Sequence, residues 1–346
     1  MFAVVALFCI LAFVLLGPFL VKPIEEHLEL FLFAMGALAV SVASLWSWPL
    51  AVEGLTEPIK ISAAVLAAGS LFKLLKPYAR KAVEKGVGAI GIKSFAFLVV
   101  VLLGLVSSVV TAIVASLLLV EVIDCLRLDR RDEVRLVVLS CFAIGVGAVL
   151  TPLGEPLATI VIAKLQGEPY RAGFWFLAER LWLFVVPGVL VFGALAAVFV
   201  GDRRDDPGLA EEGAETWGGI LLRAGKTYLF VMALVLLGSG FKPIVDAYIA
   251  KLPAAGLFWI NTVSAILDNA TLAAAEIGPA MSPSQLAASL LGLTIAGGML
   301  IPGNIPNIVS AGKLGIRSRE WARFGLPVGF AAMAACFGAL LALGLL

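Results

Sequence analysis

Residues 151–156 read TPLGEP and residues 301–307 read IPGNIPN, and each stretch interrupts an apolar run long enough for a membrane helix. Each stretch holds two prolines four residues apart. Proline removes a helix hydrogen bond and clashes with the preceding turn, so neither helix can run straight through. Broken helices at matching places in two halves are typical of transporter binding sites. The residues predicted to break the helices are Pro152, Pro156, Pro302, Gly303 and Pro306.

The composition around these stretches is that of a membrane protein. Of 346 residues, 61% are hydrophobic and 14% are charged, and the mean hydropathy is +1.06. An ordinary soluble chain is about 45–50% apolar. The net charge of +1 offers no basic field for a nucleic acid. Membrane lipid is therefore the expected partner, and a nucleic acid is not.

The apolar runs predict an all-α integral membrane protein. A spanning helix needs about 20 apolar residues. Two stretches, 94–123 and 255–279, carry polar residues at mid-length and are better explained by re-entrant hairpins, which enter and leave by the same face. The fold expected is about eight transmembrane helices plus two such hairpins. The predicted spans are 2–21, 30–50, 59–75, 134–165, 174–200, 219–241, 285–312 and 324–346.

Sequence similarity within the chain predicts an inverted repeat. Residues 147–152 (GAVLTP) parallel 297–302 (GGMLIP), and three further pairs recur in the same order. Each unit has three crossings, an odd number, so the second unit begins on the opposite face of the membrane. The predicted division is a two-helix extension at 1–58, a first repeat at 59–200, a cytoplasmic linker at 201–218 and a second repeat at 219–346.

The basic residues support this topology. Six of the 25 lysines and arginines fall on one face, which leaves 25 − 6 = 19 on the other. The positive-inside rule places the richer face in the cytoplasm. We therefore expect a multi-pass protein of the cell (inner or plasma) membrane with both termini outside the cytoplasm.

Two carboxylates, Glu155 and Asp268, lie in apolar surroundings within these segments. A charge at the bilayer centre costs at least about 2.5–3.5 kcal/mol, so such a group needs a proton, a partner or a cation. Asp268 alone could be a helix cap at a hairpin tip, and Glu155 could be protonated or hydrogen-bonded without any role in transport. The sequence thus predicts Glu155 and Asp268 as candidate ligands of Na⁺.

Neutral oxygens near the hairpin tips and helix breaks would complete a site for a hard cation. For each hydroxyl the alternative is a hydrogen bond to its own helix. Glu121 and Glu276 are predicted to be interfacial, and Glu53 and Glu57 to lie in an extracellular loop. The predicted ion-binding residues, besides the two carboxylates, are Ser107, Ser108, Thr111, Asn269, Thr271, Asn304 and Asn307.

Three motifs, TPLGEPLATI (151–160), LDNATLAAAEIGP (267–279) and PGNIPNI (302–308), resemble a prokaryotic family described only as predicted cation transporters. The order of hairpin, broken helix and span resembles the ion transporter superfamily of arsenite permeases, D-type Na⁺/H⁺ antiporters and divalent anion/Na⁺ symporters. The resemblance implies a midplane site at the tips and breaks, which adds Thr151 and Gly154. The Ser-Asn-Thr hairpin signature of the anion symporters is absent. For the oligomeric state, the resemblance leaves a homodimer as one expectation.

These patterns favour a secondary active transporter, with Na⁺/H⁺ antiport as the first hypothesis. Na⁺ and H⁺ would compete for one set of oxygens while one half rocks against the other, and no cofactor besides these ions is expected. The alternative is an Na⁺- or H⁺-coupled carrier or exporter of a small inorganic anion. An intramembrane enzyme is disfavoured, since His27 is the only histidine. A channel fits paired helix breaks less well than alternating access does.

Overall fold

The computed structural model describes residues 2–21, 23–24, 27–201, 217–244 and 252–346, and this part of the chain is all-helical. The predicted linker 201–218 lies almost wholly outside the described residues. The helices are α1 (Phe2–Leu20), α2 (Leu28–Val42), α3 (Trp48–Ile90), α4 (Ile92–Val110), α5 (Ala112–Leu126), α6 (Arg130–Ala148), α7 (Pro156–Leu165), α8 (Phe176–Phe199), α9 (Trp217–Ile244), α10 (Ala254–Ile260), α11 (Asn269–Glu276), α12 (Pro283–Gly297), α13 (Ile305–Leu314) and α14 (Ser318–Ala342), with 3₁₀ turns at Asn261–Ala265 and Ile301–Gly303.

Four of the described helices, α4, α8, α9 and α14, are long and apolar enough to cross a membrane by length and composition. The chain is therefore a multi-pass membrane protein. Shorter apolar helices, among them α2 and α7, lie beside these four. The number of crossings, the re-entry of the hairpins and the orientation of the termini stay predictions.

Two predicted spans differ from the helices observed. The predicted span 30–50 is divided, because α2 ends at Val42 and a turn precedes α3. The span 59–75 is the middle of α3, a helix of 43 residues that is about 65 Å long at 1.5 Å per residue. The charged residues after position 73 therefore continue this helix instead of forming a loop, until Gly91 ends it with a φ of +78°.

Two broken helices form the centre of the molecule. Every residue in 136–149, at the end of α6, and in 288–301, from α12 into the following break, is buried. A helix that is apolar on all sides is found either in a protein core or in lipid, and their burial places these two stretches in the core. The breaks after α6 and α12 were predicted from the prolines and lie within the predicted spans 134–165 and 285–312.

A separate group of helices, α2, α3 and α9, packs together beside this centre. Glycines allow α2 and α9 to approach closely. A Cβ at Gly36 would lie 2.8 Å from Leu236 Cβ, and a Cβ at Gly240 would lie 2.6 Å from Ala39 Cβ. Membrane helices usually pack through small residues. The hydrophobic effect does not drive apolar side chains out of lipid, so helices associate through close contact of their backbones.

The half-helices of the two predicted repeats pack crosswise. α7 packs on α11, and α13 packs on α5. Lys164 of α7 donates hydrogen bonds to the carbonyl oxygens of Ala274 and Ile277 at the end of α11. Lys313 of α13 forms an ion pair with Glu121 of α5. Each predicted repeat thus supplies a lysine to the second hairpin helix of the other.

Arg130, at the start of α6, joins the repeats in the same way. Its guanidinium donates to the carbonyl oxygens of Leu314 and Gly315 at the end of α13, at 2.9 and 2.8 Å. It also forms a bidentate pair with Glu320 of α14, at 3.0 and 2.8 Å. Such fork-like pairs are the stronger kind of ion pair.

Candidate functional site

Four helices, α5, α7, α11 and α13, begin around one cavity, and their N-cap residues line it: Thr111, Glu155, Asp268 and Asn304. At the hairpin tips the cap side chains bond to their own helices. The Thr111 hydroxyl accepts the Val114 N–H at 3.3 Å, and Asp268 accepts the Thr271 N–H at 3.0 Å. The side chains of Glu155 and Asn304 make no capping hydrogen bond, so their polar atoms remain available to the cavity.

The two helix breaks have the same length and the same register. Residues 149–155 separate α6 from α7, and residues 298–304 separate α12 from α13, so each break has seven residues. In each break the sixth residue is a glycine packed against the last residue of the preceding helix. A Cβ at Gly154 would collide with the Ala148 carbonyl oxygen, and one at Gly303 would lie 2.5 Å from the Gly297 carbonyl oxygen.

This register corrects the equivalence drawn from the sequence. Aligning GAVLTP with GGMLIP pairs positions 150 apart and sets Glu155 against Ile305. The helix ends and the packed glycines pair positions 149 apart, and Glu155 then corresponds to Asn304. Their backbones agree, with φ and ψ of −155° and 160° at Glu155 and −154° and 148° at Asn304.

The cavity has a volume of about 740 Å³. Its wall comes from the hairpin tips and helix breaks on one side and from α3 and α9 on the other. A space of this size accepts an ion with part of its water shell. The predicted site residues on its wall are Thr111, Gly154, Glu155, Asp268, Asn269, Thr271 and Asn304, together with the helix-breaking Pro152 and Pro156.

Glu155 is the most buried acid on the cavity wall, with 5% of its surface exposed, and its Oε1 has no hydrogen-bond partner among the described residues. Asp268 and Asn269 both act electrostatically on its carboxylate, which places them close to it. The amide nitrogens of Asn269 and Asn304 also lack partners within the described chain. A buried polar group without a partner costs about 1–3 kcal/mol, so these atoms are arranged for something other than stability.

Asp268 has a structural role as well. Its Oδ2 accepts both the backbone N–H and, at 3.1 Å, the hydroxyl of Thr271. The capping alternative considered for Asp268 is therefore observed. Capping engages one carboxylate oxygen and leaves the negative charge half-buried at the cavity.

Four predicted site residues do not line the cavity: Ser107, Ser108, Thr151 and Asn307. Ser107 and Ser108 donate to carbonyl oxygens in their own helix, at 2.7 and 2.8 Å, which is the alternative expected of hydroxyls. Thr151 donates to the Ser108 carbonyl oxygen and so ties the first break to the first hairpin. Asn307 donates at 2.8 Å to two carbonyl oxygens, that of Gly297 just before the second break and that of Leu300 within it. Pro302, Gly303 and Pro306 shape that break without lining the cavity.

The wall also contains residues that the sequence did not assign to a site. Glu53 and Glu57 lie on α3 and not in a loop, and Ser239 and Lys242 lie on α9. Lys242 is a basic residue on the wall, whereas the site residues predicted from the sequence include none.

Two other acids, Glu121 and Glu276, are buried inside the protein, with 6% and 4% of their surfaces exposed. Their predicted position at the membrane interface stays a prediction. Glu121 pairs with Lys313. Glu276 accepts a hydrogen bond from Asn261 at 3.0 Å. Each lies on the second helix of a hairpin. The end of that helix away from the cavity packs against the other repeat inside the protein.

Comparison with known proteins places this chain in a family. No curated protein matches it. The family described as "Protein of unknown function (DUF1646)" matches residues 4–343, which include both broken helices and every residue of the cavity wall. The chain belongs to the DUF1646 family.

Proposed function

We propose that this protein is a secondary active transporter that exchanges a monovalent cation, Na⁺ in the first instance, for protons. The observation that carries the proposal is the Glu155 carboxylate, which is buried, has an unpaired oxygen and lies beside Asp268 at a cavity. Burial favours the neutral form of a carboxyl group, whereas a bound cation favours the ionised form. Na⁺ and H⁺ would therefore compete for Glu155 and Asp268.

The rest of the cavity wall supports a cation that has lost part of its water shell. The side-chain oxygens of Asn304 and Thr111 and the carboxylates of Glu155 and Asp268 are hard ligands, of the kind that broken helices present to Na⁺ in transporters. Antiport then needs only alternating access of this one site to the two faces of the membrane. No enzymatic step and no cofactor besides the two ions is part of the proposal.

The wider setting of the proposal follows from the sequence. The resemblance to the ion transporter superfamily, the helix breaks and the internal repeat favour an inverted-repeat carrier. The distribution of basic residues favours the cell membrane, with both termini outside the cytoplasm. A homodimer is compatible with this arrangement.

Proteoliposomes test the proposal directly. A rise in external Na⁺ should drive protons across the membrane, and Glu155→Gln or Asp268→Asn should each abolish the flux. Glu179→Gln, at an exposed carboxylate on α8, is the control and should leave the flux unchanged. Undiminished proton movement in both buried variants contradicts the proposal.

A second candidate function is cation-coupled transport of a small inorganic anion. Lys242 on the cavity wall favours it, as do four helix N-termini, whose backbone N–H groups and dipoles attract anions. The unpaired amide nitrogens of Asn269 and Asn304 could donate to an anion. Stabilisation of the purified protein by phosphate or sulfate, lost in Lys242→Gln, would select this function over antiport.

A further inference from the structure

A second buried polar cluster lies apart from the cavity, between the second hairpin and α12. Its members are Asn261 in the 3₁₀ turn after α10, Glu276 at the end of α11 and Ser289 on α12. None of the three lines the cavity, and 1%, 4% and 0% of their surfaces are exposed. The amide nitrogen of Asn261 joins them, because it donates to Glu276 Oε2 at 3.0 Å and to the Ser289 carbonyl oxygen at 3.3 Å.

Three side-chain oxygens of this cluster have no hydrogen-bond partner among the described residues: Asn261 Oδ1, Glu276 Oε1 and Ser289 Oγ. The Ser289 hydroxyl donates to neither of the other two, so the cluster does not satisfy itself. Glu276 also makes no ion pair within the described part of the chain. Leaving one such oxygen unpaired costs about 1–3 kcal/mol, and an uncompensated buried charge costs more.

The first repeat shows that the fold does not require this cluster. The N-cap residues at the two hairpin tips, Thr111 and Asp268, lie 157 positions apart, so Gly104 corresponds to Asn261 and Leu119 to Glu276. The helix breaks lie 149 positions apart, and this offset makes Ser140 the counterpart of Ser289. Leu119 is buried and apolar, and the Ser140 hydroxyl donates to the Leu136 carbonyl oxygen at 2.7 Å.

The room for Asn261 comes from an exchange of glycines between facing helices. In the first repeat Gly104 faces Ala143, and a Cβ at Gly104 would lie 3.1 Å from Ala143 Cβ. In the second repeat Asn261 faces Gly292, the counterpart of Ala143, and a Cβ at Gly292 would lie 3.2 Å from Asn261 Cβ. The glycine is therefore on the hairpin in the first repeat and on the facing helix in the second. The larger side chain that this exchange allows in the second repeat is the polar Asn261.

We propose that Asn261, Glu276 and Ser289 form a second cation site, specific for a monovalent ion of the Na⁺ class. One cation bonded to the three unpaired oxygens satisfies them together, whereas a proton on Glu276 Oε1 can be donated to only one of the other two. Carboxylate, amide and hydroxyl oxygens are ligands for hard cations. The site is separate from the cavity and does not depend on the exchange proposed there.

Binding of radioactive Na⁺ to the purified full-length protein tests this site. The Glu155→Gln/Asp268→Asn variant removes the two carboxylates of the proposed exchange site and should still bind one Na⁺ per chain. Adding Glu276→Gln should abolish that binding. Adding Ser289→Ala instead, which keeps the charge, should weaken binding by about tenfold or more, as changes around bound metals do. Ser140→Ala, at the equivalent position of the first repeat, is the matched control and should change nothing.

The possible outcomes separate this site from the cavity. Absence of Na⁺ binding in the folded Glu155→Gln/Asp268→Asn variant overturns the second site, as does binding that survives both Glu276→Gln and Ser289→Ala. An infrared band of a protonated carboxyl group that disappears in Glu276→Gln would also overturn it, in favour of a bound proton. Antiport itself is measured by proton flux, so either proposal can fail alone.

Discussion

Glu155 and Asn304 hold the same position in the two halves of the molecule: each is the extended residue at the end of a seven-residue break and caps the half-helix that follows. One is an acid and the other its neutral counterpart, and both face the same cavity. The backbone thus provides two similar sites, and the side chains make them unequal. This asymmetry places a single strongly buried negative charge at the breaks.

Asn304→Asp should give the second break a carboxylate of its own. The added charge should shift the cavity from monovalent towards divalent cations, because ligand charge raises affinity for ions such as Ca²⁺. Thermal unfolding of the purified protein in Na⁺ or Ca²⁺ measures the change, and Asn304→Ser is the neutral control. Equal responses of the Asp and Ser variants to Ca²⁺ would contradict the assignment of Asn304 to the cavity.

Glu155→Gln should raise stability when Na⁺ is absent, even though it abolishes transport. The substitution replaces a buried carboxylate that lacks a partner at Oε1 with a neutral group of the same shape. The expected gain is about 1–3 kcal/mol, because the substitution removes a buried negative charge and its repulsion by Asp268. The melting temperature in choline chloride and in NaCl gives the comparison. A variant that is less stable in choline, or that keeps the stabilisation by Na⁺, would show that Glu155 is a structural residue.

The glycines of the two breaks should not tolerate a side chain. A methyl group at Gly154 or Gly303 would press on the carbonyl oxygen of residue 148 or 297, and crowding of this kind costs about 1–3 kcal/mol. Gly338→Ala on α14, where a Cβ would meet nothing within 4 Å, should be neutral or stabilising by up to about 1 kcal/mol. Thermal unfolding of the three variants decides the matter, and equal melting temperatures would speak against the packing described.

The pair of Lys313 and Glu121 should behave as a buried ion pair, since only 14% and 8% of their side chains are exposed. Lys313→Met leaves the carboxylate uncompensated and should cost about 3–5 kcal/mol. Adding Glu121→Leu should restore most of that loss, because an apolar pair of similar size often replaces a buried ion pair without cost. A double-mutant cycle of unfolding measures the coupling, and additive effects of the two substitutions would refute it.

Pairs of prolines four residues apart made the helix breaks predictable from the sequence, because each proline removes a helix hydrogen bond and crowds the preceding turn. The association of Glu155, Asp268 and Asn304 followed from the breaks. The predicted register of the repeats was wrong by one residue. A sequence alignment matches the prolines of the two breaks, whereas in the structure the matching positions are Gly154 and Gly303, which both contact the preceding helix.

The long helix α3 was missed for the opposite reason. Its charged second half follows the predicted span 59–75, but charge does not end a helix, and this helix continues to Gly91, whose φ is +78°. Lys242 was missed because its place on the cavity depends on how α9 packs beside the second hairpin. Contacts between distant segments leave no periodic pattern in the sequence.

The crosswise lysines have a mechanical consequence. A movement that separated residues 59–200 from 219–346 would have to break three contacts. These are the hydrogen bonds of Lys164, the ion pair of Lys313 and the hydrogen bonds from Arg130 to the end of α13. The helices that carry these bonds, α5, α6, α7, α11 and α13, are therefore fastened to one another across the two predicted repeats. The cavity is bounded on its other side by α3 and α9, which carry none of these three contacts, so sliding of the fastened helices along α3 and α9 is one displacement that leaves the contacts intact.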